Sequence, residues 1–209
     1  MNLRTPLLSA AGPGALDQAA EILRGGGLVA FPTDTVYGIG VSAFNARAVD
    51  RIFQVKGRSL EKAIPILLAD ADELEQIALQ VTGDAKRLIH HFWPGALTLI
   101  LPKAPHLPAN LSATETIGVR IPDLALARDL LRLTGPLAAT SANLSGKPSA
   151  LTAQQVLEQL EGRVDLVLDG GPALGGHAST VVDCSRGVAE ILREGPITRE
   201  QINQLLGYG

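Results

Sequence analysis

The chain has 209 residues, 46% of them hydrophobic and 19% charged, with 18 basic and 21 acidic side chains and a net charge of -3. That is enough chain to bury a sizeable core, and the composition excludes disorder and a surface that coats nucleic acid or anionic membrane as a whole. An aromatic content of 3% leaves an aliphatic core and argues against a base-stacking surface built on many aromatics.

The N-terminal Met1-Asn2-Leu3-Arg4-Thr5-Pro6 carries one positive charge and an early proline. The apolar stretch after it is broken by Ser9, Gly12 and Pro13, which makes a poor signal peptide. No apolar run approaches the ~20 residues of a membrane span, so a cytoplasmic protein is expected. Ala15 to Arg24 places Leu16, Ala19, Ala20 and Leu23 on one helical face, and Gly25-Gly26-Gly27 stops it. Leu28 to Phe31 reads as a buried strand ended by Pro32. A polar, glycine-bearing loop is expected from Thr33 to Gly40.

Ala46 to Lys56 has helical spacing. It leads through a loop with Arg58 and Lys62 to an apolar run, Ile64 to Leu68. Asp72 and Glu75 resemble a helix start. A helix is expected from Asp84 to Phe92, stopping at Pro94-Gly95. Strands follow at Ala96 to Leu101 and Thr116 to Ile121, separated by a Pro- and Ala-rich surface loop from Lys103 to Ser112. Leu124 to Leu133 has helical period. Leu137 to Ala139 runs as a strand into the polar turn Thr140-Ser141-Ala142-Asn143. Thr152 to Gln155 is a capping box opening a helix. Strand-like runs recur at Leu166 to Leu168, Ser179 to Asp183 and Ala189 to Leu192, and Thr198 to Gln201 caps a last helix. Interleaved strands and helices, with no repeat and no linker, predict a single α/β domain with helices packed on a sheet.

Several chemistries fail on spacing or context. Gly38-Ile39-Gly40-Val41-Ser42-Ala43 fits G-x-G-x-x-A, but its strand ends at Pro32 and no acidic residue closes a second strand about 20 residues on. Gly170 to His177 has P-loop glycine spacing without the Lys-Ser/Thr pair. It reads as a flexible turn or a flap over a site. His90 and His91 are adjacent, which separates them on a helix and leaves them structural or surface residues. One cysteine, Cys184, excludes an internal disulfide and a multi-cysteine zinc site, and it reads as a small buried side chain. No G-x-S-x-G elbow or H-E-x-x-H helix is present.

What remains is a set of basic and hydroxyl residues at the ends of apolar runs, where α/β sheets form ligand crevices. Thr33, Asp34, Thr35 and Tyr37 follow the first strand, and Lys56, Arg58 and Lys62 precede the next. Arg120 stands out as a charge inside an apolar strand. Thr140, Ser141 and Asn143 end another strand, and Ser179, Thr180 and Arg193 mark the last ones. Several cations with hydroxyls suit a phosphate- or carboxylate-bearing ligand.

Phe31-Pro32-Thr33-Asp34-Thr35-Val36-Tyr37-Gly38, Lys56-Gly57-Arg58, Trp93-Pro94-Gly95-Ala96-Leu97-Thr98, Val119-Arg120-Ile121-Pro122, Ser141-Ala142-Asn143-Leu144-Ser145-Gly146 and Ser179-Thr180-Val181-Val182-Asp183 occur in that order. Across about Ala15 to Ile197 the chain closely resembles the YrdC-like family of threonylcarbamoyl-AMP synthases. The resemblance implies a twisted, mixed α/β sheet around a basic concave cavity. It implies an enzyme, a nucleotidyltransferase, that makes threonylcarbamoyl-AMP and pyrophosphate from L-threonine, bicarbonate or carbon dioxide, and ATP. The product then serves threonylcarbamoyladenosine modification of tRNA by a separate transfer machinery. By motif, Thr35, Arg120, Thr140 and Ser179 are expected at threonine. Lys56, Arg58, Lys62, Thr116, Ser141, Asn143, Ser149 and Arg193 are expected at ATP, with Lys56 and Arg58 also catalytic. Magnesium is expected to arrive with ATP and no dedicated metal site is expected. Weak tRNA binding is a further implied property. The chain departs from some relatives at Ser59, where they have proline, and at Ile66-Leu67-Leu68, where they have a histidine. It resembles the short form, without a further C-terminal domain. Two alternatives stand beside it, a carbamoyl-transfer domain of the hydrogenase-maturation kind and a module that binds tRNA or double-stranded RNA.

Overall fold

Apolar side chains alternate within the short strands, and the alternation sorts them onto two faces. Val29, Phe31, Leu137, Ala139, Leu166 and Leu168 pack together on one side, while Ala30, Ala138 and Val167 face the other. A strand covered on both faces reads as an unbroken apolar run, as these segments do in the sequence. The structure, a computed structural model, describes residues 4–208. Met1–Leu3, part of the stretch weighed as a leader, and Gly209 lie outside the described residues.

In chain order the elements are β1 (Leu7–Ser9), α1 (Ala15–Arg24), β2 (Val29–Phe31), β3 (Gly38–Ser42), α2 (Ala46–Lys56), β4 (Ile66–Leu67), α3 (Gly83–Phe92), β5 (Leu97–Pro102), β6 (Thr116–Arg120), α4 (Ala125–Thr134), β7 (Leu137–Ser141), α5 (Ala153–Leu160), β8 (Leu166–Asp169), β9 (Thr180–Asp183), β10 (Glu190–Arg193) and α6 (Arg199–Leu206). The strands form one sheet in the order β1-β8-β2-β3-β7-β4-β6-β5-β9-β10. The pairs β1–β8, β2–β8, β4–β6 and β5–β9 are parallel and the other neighbours antiparallel, which makes the sheet mixed, as expected. Helices α1 and α4 bury Ala19, Leu23, Leu130 and Leu131 on the first face; α2, α3, α5 and α6 cover the second. Each fully buried leucine contributes about 1.5–3 kcal/mol. No helix among the described residues is long and apolar enough to cross a membrane.

Four expectations change. The loop expected from Thr33 to Gly40 ends at Tyr37, because Gly38–Ser42 is strand β3 between β2 and β7. Glycine hides this strand by its low strand propensity, but Gly40 is needed there. A Cβ on it would lie 2.9 Å from the Phe31 ring. The Lys103–Ser112 segment is not a simple surface loop, since Ala104, Leu107, Leu111 and Ser112 are buried and Ala109–Leu111 forms a 3₁₀ turn. The helix start read at Asp72 and Glu75 is a 3₁₀ turn, Ala71–Gln76, closed by an Asp70–Glu73 capping box. Thr152 caps α5 through the Gln155 N–H, but the Gln155 side chain accepts from Leu151 instead of closing the box. Thr198 and Gln201 form the reciprocal box expected for α6.

Candidate active site

Alternate residues of adjacent strands share a face, so Thr98 and Ile100 on β5 line up with Gly118 and Arg120 on β6. With Leu67, Ala139, Ser179 and Val181 they line a cavity of about 360 Å³. The loop after β2 supplies Thr33, Thr35 and Val36, and Arg58, Ser141, Thr140 and Arg193 complete the wall. A β-bulge between Ile191 and Arg193 shifts the register of β10 before Arg193 reaches this wall.

The hydroxyl loop is built by its own hydrogen bonds. Thr33 Oγ1 donates to the Val36 carbonyl at 2.7 Å and accepts from the Thr35 and Val36 N–H groups. Its single proton is thereby used. The Thr35 hydroxyl lies 2.9 Å from Thr33 Oγ1. Arg120 Nη1 donates to Thr35 Oγ1 at 2.9 Å.

Arg120 is buried and its guanidinium is almost fully engaged. Nε donates to the Gly95 carbonyl at 2.9 Å, and Nη2 donates to both Asp34 oxygens at 2.6 Å. Burial lowers its pKa and Asp34 opposes that shift, while the nearby charge of Arg193 adds to it. Arg193 donates to the Ser179 carbonyl through Nε and Nη2 at 3.2 and 2.7 Å, which fixes the residue whose hydroxyl sits 2.7 Å from Thr98 Oγ1. Arg58 donates to the Lys62 and Ala63 carbonyls at 3.3 and 2.9 Å. Burial lowers the pKa of both Arg58 and Arg193.

Lys56 lies beneath this wall. Its ammonium donates to the Ser141 carbonyl, to the Asn143 carbonyl at 2.5 Å and to Asn143 Oδ1 at 3.3 Å. Those contacts use its three protons to pin the turn after β7. Asn143 Nδ2 extends the network to the Leu144 and Lys147 carbonyls. Burial, with Arg58 nearby, pushes the Lys56 ammonium down to about 7. The folded state then binds fewer protons than the unfolded chain from about pH 7 up to the ordinary lysine value of 10.5, so stability rises with pH in that window. Urea midpoints are expected to climb between about pH 7 and pH 9 more steeply in the wild type than in Lys56→Met. Equal slopes would contradict this placement.

The glycine-rich turn is tied to the loop after β2. The Gly176 N–H donates to the Thr35 carbonyl at 2.9 Å, and buried Tyr37 donates to the Gly171 carbonyl at 2.7 Å. Burial and Asp169 push the Tyr37 phenol up to about 12, so it stays a donor. Cys184 is buried and pushed up to about 12 by burial and by Asp84 and Asp183, and His90 and His91 are exposed.

The convergence of five cations expected from the sequence is a convergence of three. Arg58, Arg120 and Arg193 line the cavity with Thr35, Thr140, Ser141 and Ser179. Lys56 and Asn143 support the wall from behind. Lys62 lies on an exposed loop and meets the site through its backbone carbonyl, which accepts from Arg58. Thr116 stands outside the lining in a hydroxyl chain with Thr114 and Ser112, and Ser149 is exposed. Thr33, a crevice candidate with no ligand assigned to it, lines the cavity, and so does Thr98, which the sequence reading passed over. Thr98 had the same signal as Arg120, a polar residue inside an apolar strand.

The profile of the Sua5_yciO_yrdC family, described as Telomere recombination, matches residues 21–195. A relative in Bacillus subtilis called threonylcarbamoyl-AMP synthase is 46% identical over 193 residues, covering 91% of this chain and 56% of the relative. One in Mycobacterium tuberculosis, called putative threonylcarbamoyl-AMP synthase, is 39% identical and covers 90% of this chain and 88% of the relative. The crystal structure of Pyrococcus abyssi Sua5 complexed with L-threonine superposes with a TM-score of 0.92 at 38% identity, covering 98% of this chain and 61% of that one. The chain thus spans little more than half the length of the Bacillus and Pyrococcus proteins.

Proposed function

The chain belongs to the Sua5_yciO_yrdC family, and from that premise we propose that it makes L-threonylcarbamoyl-AMP and pyrophosphate from L-threonine, bicarbonate or carbon dioxide, and ATP. The observation that carries the reading is one cavity lined by three guanidiniums and several hydroxyls, which we read as two anion subsites. Arg120, with Thr35 and Ser179 nearby, suits a single carboxylate and the hydroxyl of a small amino acid. Arg58 and Arg193, hydrogen-bonded only to backbone carbonyls among the described residues, suit a polyphosphate.

In this reading the threonine ammonium first gives up a proton to solvent, and the free amine attacks carbon dioxide, releasing a second proton to solvent and forming a carbamate. A carbamate oxygen then attacks the α-phosphorus of ATP, and the bond to the β-phosphate oxygen breaks to release pyrophosphate. Such a transfer rests on alignment and on cations at the phosphoryl oxygens. The lining offers guanidiniums and hydroxyls, and the neighbouring carboxylate, Asp34, is held by Arg120. That donor set fits magnesium entering as part of the ATP substrate rather than in a carboxylate cage. Ser141 on the wall is available for nucleotide contacts and Thr140 for threonine, while Lys56 and Asn143 hold the turn that carries Ser141. The product is an activated carbamoyl donor for the enzymes that modify adenosine in tRNA. Pyrophosphate release is expected only when threonine, bicarbonate, ATP and magnesium are all supplied. Release that persists without threonine would contradict the proposal.

A further inference from the structure

Three guanidiniums line the cavity, and among the described residues Arg120 alone of the three is paired with a carboxylate. The pair is deep, with the Arg120 and Asp34 side chains 8% and 16% exposed. Asp34 is not part of the cavity wall; it acts on the wall through Arg120. On the function proposed above, two carboxylate- or phosphate-bearing substrates enter one cavity: a zwitterion with no net charge, and a polyphosphate with several negative charges. Arg58, Arg120 and Arg193 would all attract the polyphosphate. Repulsion by a fixed carboxylate grows with the charge of the approaching group, and the ammonium of an amino acid offsets it. A like-charge element that costs the wrong ligand more than the right one is a recognised source of specificity.

We propose that Asp34 is a positioning residue that sorts the two substrates, neutralising Arg120 so that polyphosphate settles on the guanidiniums without a carboxylate partner, Arg58 and Arg193, and Arg120 stays open to the amino acid. The hydrogen bonds also aim the arginine. Gly95, Asp34 and Thr35 take up every N–H of the guanidinium except one on Nη1, which is left for the substrate carboxylate.

The test is calorimetric titration of threonine into the wild type, Asp34→Asn and Asp34→Glu, with and without saturating inorganic tripolyphosphate. In the wild type the threonine dissociation constant is expected to change by less than about twofold on adding tripolyphosphate. In Asp34→Asn it is expected to rise at least about tenfold, competitively, because an uncompensated Arg120 guanidinium now draws polyphosphate to itself. Asp34→Glu keeps the charge and should restore the wild-type pattern, which loss of packing alone would not predict. An Asp34→Asn protein as indifferent to tripolyphosphate as the wild type would overturn the sorting role alone. So would a glutamate variant as sensitive as the asparagine variant. Strong competition in the wild type would overturn it even if Asp34→Asn failed to fold. A wild type that binds no threonine under either condition would overturn the functional reading, and this proposal with it.

Discussion

Arg120→Ala is expected to raise the threonine dissociation constant at least about a hundredfold while changing that of ATP by less than about fivefold. The magnitude follows from the geometry. Truncating one partner of a buried, hydrogen-bonded charge pair costs about 2–5 kcal/mol, and a hundredfold is about 2.7. The asymmetry follows from the placement of Arg120 beside Thr35, while Arg58 and Arg193 keep their own contacts. The same change leaves the partly buried Asp34 carboxylate without its partner, so stability should also fall, by up to about 3 kcal/mol. Binding must therefore be measured well below the melting temperature. Equal weakening of both substrates would contradict the division of the cavity.

Gly195→Ala should damage the site from outside it. A Cβ at this position would lie 2.4 Å from the Ala178 carbonyl oxygen, 2.7 Å from the Thr180 nitrogen and 2.8 Å from the Ser179 carbonyl carbon. All three are backbone atoms, so the strand start that carries Ser179 must move. The Gly195 N–H also donates to Thr180 Oγ1 at 2.9 Å, in a turn that Thr180 closes by donating to the Ile197 carbonyl at 2.6 Å. Overpacking costs about 1–3 kcal/mol, and a displacement of about 1 Å at a positioning residue costs about a hundredfold in rate. Turnover is expected to drop by about that factor in a protein that still folds. A variant with wild-type turnover would show that the Ala178–Thr180 backbone has room that the geometry denies.

Much of this architecture was legible because its physical causes are local. Helix α1 declares itself by four apolar residues on one face and a glycine stop, and α6 by a capping box. Strands buried on both faces declare themselves by unbroken apolar runs. Arg120 was legible because a charge inside an apolar strand needs a partner, and Asp34 and Thr35 provide it. Strand β3 was not legible, because two of its five residues are glycines whose value lies in what packs against them. The buried part of the Lys103–Ser112 segment was hidden for a related reason, since burial of Leu107 and Leu111 depends on elements distant in sequence. Side-chain direction was the main limit at the site. Lys56 belongs to a motif shared with Arg58, but only the fold reveals that its protons are spent on the Ser141–Asn143 turn. Lys62 likewise contributes its carbonyl and not its charge.

The central claim is that this cavity joins threonine, one carbon from bicarbonate and AMP into a single molecule. The most direct measurement is mass spectrometry of a reaction containing the protein, L-threonine, carbon-13 bicarbonate, ATP and magnesium. A threonylcarbamoyl-AMP ion carrying one heavy carbon, formed together with pyrophosphate, is the predicted result. Consumption of ATP without that labelled adduct would contradict it.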